Sequence, residues 1–207
     1  MHNAVTVYED LAGKIKTGWS GDLSEISLSS HYGVSRNTVK KSLLLLLSDG
    51  LIDMEPNKSA RVKQYGLKDI SEYLDIRIVL EGLMVRELSL TPDDFKKLDS
   101  TLATMESFIA KNDIISYSLE NQAFHKILYD ACINKTLVKM IEQIKLHTTR
   151  YSNKTDLVPG RASESYAEHK AIVDALRTGD IDKAEAAMKT HIAHIKEKFR
   201  KNYNFLI

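Results

Sequence analysis

The hydrophobic and polar positions of residues 24–51 predict two short helices separated by a tight turn. Ser24 is a favoured N-cap residue, and Gly33 suits the left-handed position that ends the first helix. The second helix begins after Ser35, and its apolar residues recur at the i, i+4, i+7 spacing of a helix packed on one side. They are Val39, Leu43 and Leu46. The pattern is typical of a helix-turn-helix, although an αα-corner with a solvated basic start would show the same spacing.

The first turns of the second helix carry the polar side chains that a DNA-reading helix needs. Cations bind phosphates, and amide and hydroxyl groups hydrogen-bond to base edges in the major groove. Residues 35–41 contain three cations and no carboxylate, whereas the whole chain has a net charge of only +1, so positive charge is concentrated here. The predicted DNA-binding residues of this helix are Ser35, Arg36, Asn37, Thr38, Lys40 and Lys41.

A short β-hairpin is predicted directly after this helix. Asp49 and Gly50 stop the helix, and two short strand-like runs then flank the turn residues 56–59. The hairpin carries Lys58 and Arg61, which we also predict to contact DNA. A helix-turn-helix followed by a hairpin with a basic tip is a winged-helix arrangement.

These segments resemble the GntR family of bacterial transcription regulators. The matching stretches are VYEDLAGKIKTG, LSEISLSSHYGVSRNTVKKSL and SDGLIDMEPNKSARV. The chain departs from the family pattern at Ser20, Gly21 and Asp22, where Pro-Gly is usual. Lys40 stands where Arg is frequent, and a lysine lacks the guanidinium fork that reads guanine.

The second predicted helix contains five consecutive leucines, residues 43–47. A run of that length goes all the way round a helix, so these leucines cannot all face one core. Either a second surface, from the effector domain or a partner subunit, covers the outward leucines, or they thicken the local core.

From Leu67 onward the periodicity is almost entirely helical, which predicts a mainly α fold with two domains. We place a winged helix-turn-helix domain at 1–65 and an all-α bundle at 66–207. Six helices are expected, at 68–90, 92–111, 113–133, 135–151, 164–178 and 181–203. Residues 152–163 are expected to form a loop, either a mobile cover over a pocket or a plain connector.

The candidate chemistry of the second half lies in its histidines. Asn121 and His125 stand one helical turn apart at the edge of an apolar arc, and His169 and His191 lie on or beside apolar stripes. The last two stand eleven residues to either side of Asp180, so an antiparallel hairpin would place both at about 16 Å from the turn. A single inward histidine is usually a hydrogen-bonded core residue. Three of them with an amide oxygen suit zinc, nickel or an iron-group divalent ion.

This half resembles the FCD domain, the effector-binding domain of the FadR branch of the GntR family, in its shorter, VanR-like form. The resemblance is carried by NQAFHKILYDACINKTL, AEHKAIVDALRTGDIDKAEAAMKTHI and LDIRIVLEGL. It implies that Asn121, His125, His169 and His191 are the ligands of a divalent metal ion. Many members have Asp at the position of Asn121, and a neutral amide is a weaker ligand than a carboxylate.

The resemblance also implies a small organic acid as effector, with its carboxylate at the metal. Arg77 and Arg150 are candidate effector-binding residues that would supply a counter-charge. Each has an ordinary alternative, because Arg77 has Glu81 at i+4, the spacing of a helix salt bridge, and Arg150 could be solvated.

The cysteine count and the distribution of apolar residues exclude several classes of protein. Cys132 is the only cysteine, which excludes a disulfide framework and a thiolate zinc cluster. The first ten residues lack the features of a signal peptide, and no apolar run reaches the length of a membrane span, so a cytoplasmic protein is expected.

The prediction is therefore a homodimeric DNA-binding transcription regulator that reads a palindromic operator and acts as a metabolite-responsive repressor. Two alternatives remain from the residues alone. The metal could be purely structural, or it could activate water in a hydrolase or hydratase. No general base or nucleophile motif accompanies the histidines, so we expect no enzyme activity.

Overall fold

The computed structural model describes residues 2–55 and 58–206, with the side chain of Arg150 also left out of that description. The chain divides into two units. The first comprises residues 1–66 together with 145–150, and the second comprises residues 67–144 and 151–207.

The first unit contains three helices followed by a two-stranded hairpin. They are α1 (Ala4–Lys16), α2 (Glu25–Tyr32), α3 (Arg36–Ser48), β1 (Ile52–Asp53) and β2 (Arg61–Val62). The strands are antiparallel with Ile52 opposite Val62, and Leu23 bridges to Ala60 beside them. The predicted order of two helices, turn and hairpin is present, and the tip residues 56 and 57 lie outside the described residues.

The local signals of the helix-turn-helix act as the sequence indicates. The Ser24 hydroxyl accepts from the backbone N–H of Ser27 at 3.3 Å, and the Ser35 hydroxyl accepts from that of Thr38 at 3.2 Å. Gly33 has φ +63°, a backbone conformation that residues with a Cβ rarely adopt. Both helix starts and the turn between them are thus fixed by single residues.

The leucine run of α3 divides between the core and the surface. Leu43 and Leu46 are buried, whereas the other three are 38–48% exposed; these are Leu44, Leu45 and Leu47. The interpretation that the outward leucines thicken the local core is therefore wrong.

The second unit is a bundle of helices, which confirms the mainly α fold class. The helices are α4 (Leu67–Arg86), α5 (Pro92–Ala110), α6 (Ile114–Ala131), α7 (Lys135–Thr155), α8 (Arg161–Arg177), α9 (Ile181–Lys201) and the short α10 (Tyr203–Leu206). Helix α9 packs against both α4 and α8, and α5 packs against both α6 and α8. This packing brings residues from three helices together at the site described below.

Two predicted boundaries are wrong. Helix α4 ends at Arg86 rather than residue 90, because the following backbone pairs with the end of α6: the N–H of Ser89 donates to the carbonyl of Ala131 at 3.0 Å. The expected loop at 152–163 shrinks to residues 156–160, since α7 continues to Thr155 and α8 starts at Arg161. Tertiary burial of Thr155 and Arg161 extends both helices beyond what the polar composition indicates.

Candidate metal and effector site

Three histidines from three helices meet inside the second unit. His125 lies on α6, His169 on α8 and His191 on α9, and all three are at most 7% exposed. Each offers one ring nitrogen, and these nitrogens lie within 4.8 Å of one another. The ring centroids of His169 and His191 are 4.6 Å apart, as their equal distance from Asp180 predicts.

Several nitrogen and oxygen atoms at this cluster are buried without a hydrogen-bond partner in the described part of the chain. Among the described residues, neither ring nitrogen of His169 has a hydrogen-bond partner, and the same holds for Nε2 of His191 and Oδ1 of Asn121. Buried polar atoms are nearly always paired, so such a group indicates a ligand that the protein chain does not itself provide.

The electrostatics of the cluster suit a cation. Burial lowers the pKa of His169 well below its ordinary value, and the neighbouring His191 lowers it further. Burial also lowers the pKa of His191, although Glu168 opposes that shift. Neutral imidazoles keep the lone pairs that bind metal ions. The three histidines therefore fit a divalent ion such as zinc or nickel. Asn121, one turn before His125 on α6, has a buried and unpartnered Oδ1, and its role as a further ligand stays a prediction.

Glu168 on α8 holds His191 in one orientation. Its Oε2 lies 2.7 Å from His191 Nδ1, and its Oε1 lies 2.7 Å from Nδ1 of His194. Because a carboxylate only accepts, His191 donates from Nδ1 and leaves the lone pair of Nε2 toward the other histidines.

The same carboxylate pairs with a buried guanidinium. Arg161, at 1% exposure, donates two hydrogen bonds of 2.8 Å to Glu168. Burial raises the pKa of Glu168, but the hydrogen bonds from His191 and Arg161 outweigh burial and hold that pKa far below its usual range. Sequence reasoning missed both residues; the only available signal was a carboxylate seven residues after an arginine, two turns along one face of α8.

A second buried carboxylate stands beside His125. The Arg77 side chain donates to Glu81 Oε1 at 2.7 Å, and the hydroxyl of Tyr129 donates to Oε2 at 3.1 Å. His125 Nδ1 is 4.0 Å from that same Oε2. The i, i+4 pairing that the sequence indicates for Arg77 is thus present and buried. An effector-binding role for Arg77 stays a prediction, and the side chain of Arg150 lies outside the described residues.

Further buried oxygens lie on α6 and α8 and directly after the end of α7. The hydroxyls of Tyr117 and Ser165 and the Oδ2 atom of Asp156 have no hydrogen-bond partner in the described part of the chain. Burial raises the pKa of Asp156 to about 6, although Ser118, Arg161 and Asn121 lower it. Sequence reasoning missed these three residues. Asp156 and Ser165 are polar, so apolar periodicity does not predict their burial, and Asp156 lies in the segment that was expected to form a loop.

The predicted DNA-binding residues lie on the first unit. Most of those on α3 are exposed, and Thr38 is half-buried. Four of these predicted cations make no ion pair with any described residue; they are Arg36, Lys40, Lys41 and Arg61. Lys58 pairs with Glu55 at 2.5 Å on the exposed hairpin. Helix α3 therefore presents uncompensated positive charge at its N-terminal end, where the helix dipole is also positive.

No described helix is both long and apolar enough to cross a membrane.

A family model and several transcription regulators are similar to this chain in sequence. The FCD domain family model matches residues 72–194. The HTH-type transcriptional regulator LutR of Bacillus subtilis is 28% identical over an alignment of 207 positions, which covers 89% of this chain and 93% of LutR. The HTH-type transcriptional repressor RspR of Escherichia coli K12 is 24% identical over an alignment of 182 positions. That alignment covers 86% of this chain and 79% of RspR.

A solved structure shows the same fold. A structural-genomics crystal structure from Rhodococcus sp. RHA1, titled a transcriptional regulator GntR, superposes on this chain with a TM-score of 0.78 at 21% identity. The superposition covers 97% of this chain and 98% of that one. The family model spans more than half of the chain, and both relatives are named HTH-type transcriptional regulators or repressors. This chain belongs to the FCD-domain regulators of the GntR family of transcription regulators.

Proposed function

We propose that this transcription regulator senses a small organic acid through a divalent metal ion held by Asn121, His125, His169 and His191. The observation that carries the proposal is the buried cluster of three histidine nitrogens within 4.8 Å of one another. Both ring nitrogens of His169 and Nε2 of His191 have no hydrogen-bond partner among the described residues. When bound, the ion would supply positive charge for a ligand carboxylate.

The residues around the cluster support binding rather than catalysis. The two carboxylates that lie within 4.0 Å of a site histidine are both held in buried ion pairs, since Glu81 pairs with Arg77 and Glu168 pairs with Arg161. Relatives named as transcription regulators point the same way.

We further propose that α3 reads DNA. Its exposed N-terminal turns carry Arg36, Lys40 and Lys41 without ion-pair partners in the described residues, and Arg61 adds a cation on the hairpin. Phosphate contacts would fix the position of the helix, and Arg36 and Asn37 would contact base edges.

The active form is proposed to be a homodimer in the cytoplasm that reads a palindromic operator. Helix α4 supports a self-association surface, because three apolar residues on it are 43–61% exposed at helical spacing; these are Ile76, Val79 and Leu83. Two copies related by a two-fold axis would present two reading helices to related half-sites. The relative RspR is named a repressor, and we propose the same sign of regulation here.

The proposal is tested by asking whether a carboxylic acid releases the protein from DNA. The full chain loaded with Zn²⁺ is titrated onto a fluorescent duplex selected from a random pool, and carboxylic acids are then added with and without a chelator. We expect one class of acid to weaken DNA binding only while metal is present.

A matched pair of histidine variants controls this experiment. His169→Ala should abolish the response to acid while the protein still binds DNA, and His31→Ala, an exposed histidine of the first unit, should keep the response. A response that survives both chelation and His169→Ala would refute the metal-dependent sensor. A purely structural metal would instead show loss of folding on chelation.

A further inference from the structure

Three further buried polar residues lie near the site histidines, one on α6, one on α8 and one directly after α7. We call Tyr117, Asp156 and Ser165 the distal polar cluster. These residues are 0, 5 and 1% exposed, and each has an oxygen with no hydrogen-bond partner among the residues described. The Tyr117 hydroxyl also interacts with the Ser165 side chain. The Oδ2 atom of Asp156 is therefore the oxygen of this cluster that most needs a further hydrogen-bond donor.

Helical spacing sets the distance of this cluster from the histidines. Tyr117, Asn121 and His125 occupy successive turns of α6, and Ser165 stands one turn before His169 on α8. One turn rises about 5.4 Å. Asp156 follows the end of α7 and adjoins Asn121. The distal polar cluster therefore begins roughly one helical turn, or about 5 Å, from the candidate metal ligands.

Within the described residues, Asp156 has little compensating charge. Arg161 is the described cation that acts on it, but Arg161 donates two hydrogen bonds of 2.8 Å to Glu168, so those two charges offset each other. Asp156 forms no ion pair within the described residues. A buried carboxylate of this kind favours a ligand that brings a hydrogen-bond donor or a positive charge.

We propose that the effector carries, besides its carboxylate, a hydroxyl or ammonium group that Asp156 binds with help from Tyr117 and Ser165. This inference rests on the proposed function, because the carboxylate is taken to lie at the metal. A gap of about 5 Å corresponds to a chain of about three or four bonds between the two groups. A hydroxyl on the carbon next to the carboxylate would be too close to the metal to reach Asp156.

Calorimetric titration of the full chain loaded with Zn²⁺ tests this. The probes are butyrate, 4-hydroxybutyrate, 4-aminobutyrate and succinate, which share one carboxylate and differ at the far end. We expect 4-hydroxybutyrate or 4-aminobutyrate to bind at least about tenfold tighter than butyrate, since hydrogen bonds to charged groups are the stronger kind. Succinate should bind no tighter than butyrate, because its second carboxylate would face Asp156.

Variants assign the preference to a residue. In Asp156→Asn the advantage of the hydroxy and amino acids should fall to about twofold or less, and in Tyr117→Phe it should fall by a smaller factor. Asp130→Asn, an exposed aspartate on α6 that pairs with Lys126, is the matched control and should keep the full advantage.

A second readout separates a binding role from a structural one. If Asp156 is an uncompensated binding residue, metal-free Asp156→Asn should melt about 2–4 °C higher than the parent protein. A lower melting temperature together with an unchanged ligand preference would show that Asp156 is structural, and the inference would be wrong.

The remaining outcomes are also decisive. Equal binding of all four acids, or tightest binding of succinate, would overturn the inference while leaving carboxylate binding at the metal intact. Failure of every acid to bind the metal-loaded chain would remove the proposed function and the inference with it.

Discussion

Replacing Glu168 by glutamine tests whether the carboxylate prepares the metal site. Its oxygens accept from Arg161 and from His191, at 2.8 and 2.7 Å. Glutamine offers one oxygen and one NH₂ group, so one of these donors would face another donor. If His191 responds by moving its proton to Nε2, it loses the lone pair that faces the other histidines.

The expected magnitude follows from that geometry. Loss of a partner that orients a ligating histidine weakens metal binding by about 10- to 100-fold, or about 1.4–2.8 kcal/mol. Breaking a buried ion pair costs about 3–5 kcal/mol, and glutamine keeps one hydrogen bond, so we expect the free energy of unfolding to fall by about 2–3 kcal/mol. The melting temperature of a chain of this length should drop by about 5–10 °C.

Competition between the protein and a chromophoric zinc chelator measures the affinity, and thermal melting of the metal-free protein measures stability separately. Glu197→Gln is the control, because Glu197 is an exposed residue of α9 that pairs with Lys201 at the surface. It should change neither quantity appreciably. A folded Glu168→Gln protein with the zinc affinity of the parent would refute the idea that Glu168 prepares the site.

Three further predictions concern the DNA-binding unit and the bundle. Arg36→Ala should weaken operator binding by about 1–3 kcal/mol in fluorescence anisotropy if that side chain reads a base; unchanged binding would exclude the contact. Leu46→Ala removes a fully buried side chain and should lower the free energy of unfolding by about 2–5 kcal/mol in urea titrations, whereas Leu44→Ala, at an exposed position on the same helix, should change it by about 0.5 kcal/mol or less. Thr91→Ala deletes a capping box in which Thr91 and Asp94 bond reciprocally, and should cost about 0.5–2 kcal/mol in the same assay; no loss would mean that the cap is replaced by water.

The sequence predicts the local features of this fold well, because single residues determine them. Ser24, Gly33 and Ser35 set the helix-turn-helix, and Thr91 with Pro92 starts α5. Apolar periodicity likewise shows which face of a helix is buried. It therefore predicts that the site histidines point into the bundle.

Contacts between helices could not be predicted in the same way. The hydrogen bond between Glu168 and His191 depends on the rotation and axial offset of α8 against α9, and neither is encoded in a local pattern. The same limit applies to Asp156. Its local composition resembles a loop, and only packing of the surrounding helices buries it.

Titration of Zn²⁺ into the metal-free full chain measures directly whether the histidine cluster holds a metal ion. We expect one ion bound per chain, with binding abolished by His169→Ala and retained by His31→Ala. No saturable binding by the parent protein, or equal binding by His169→Ala, would contradict it.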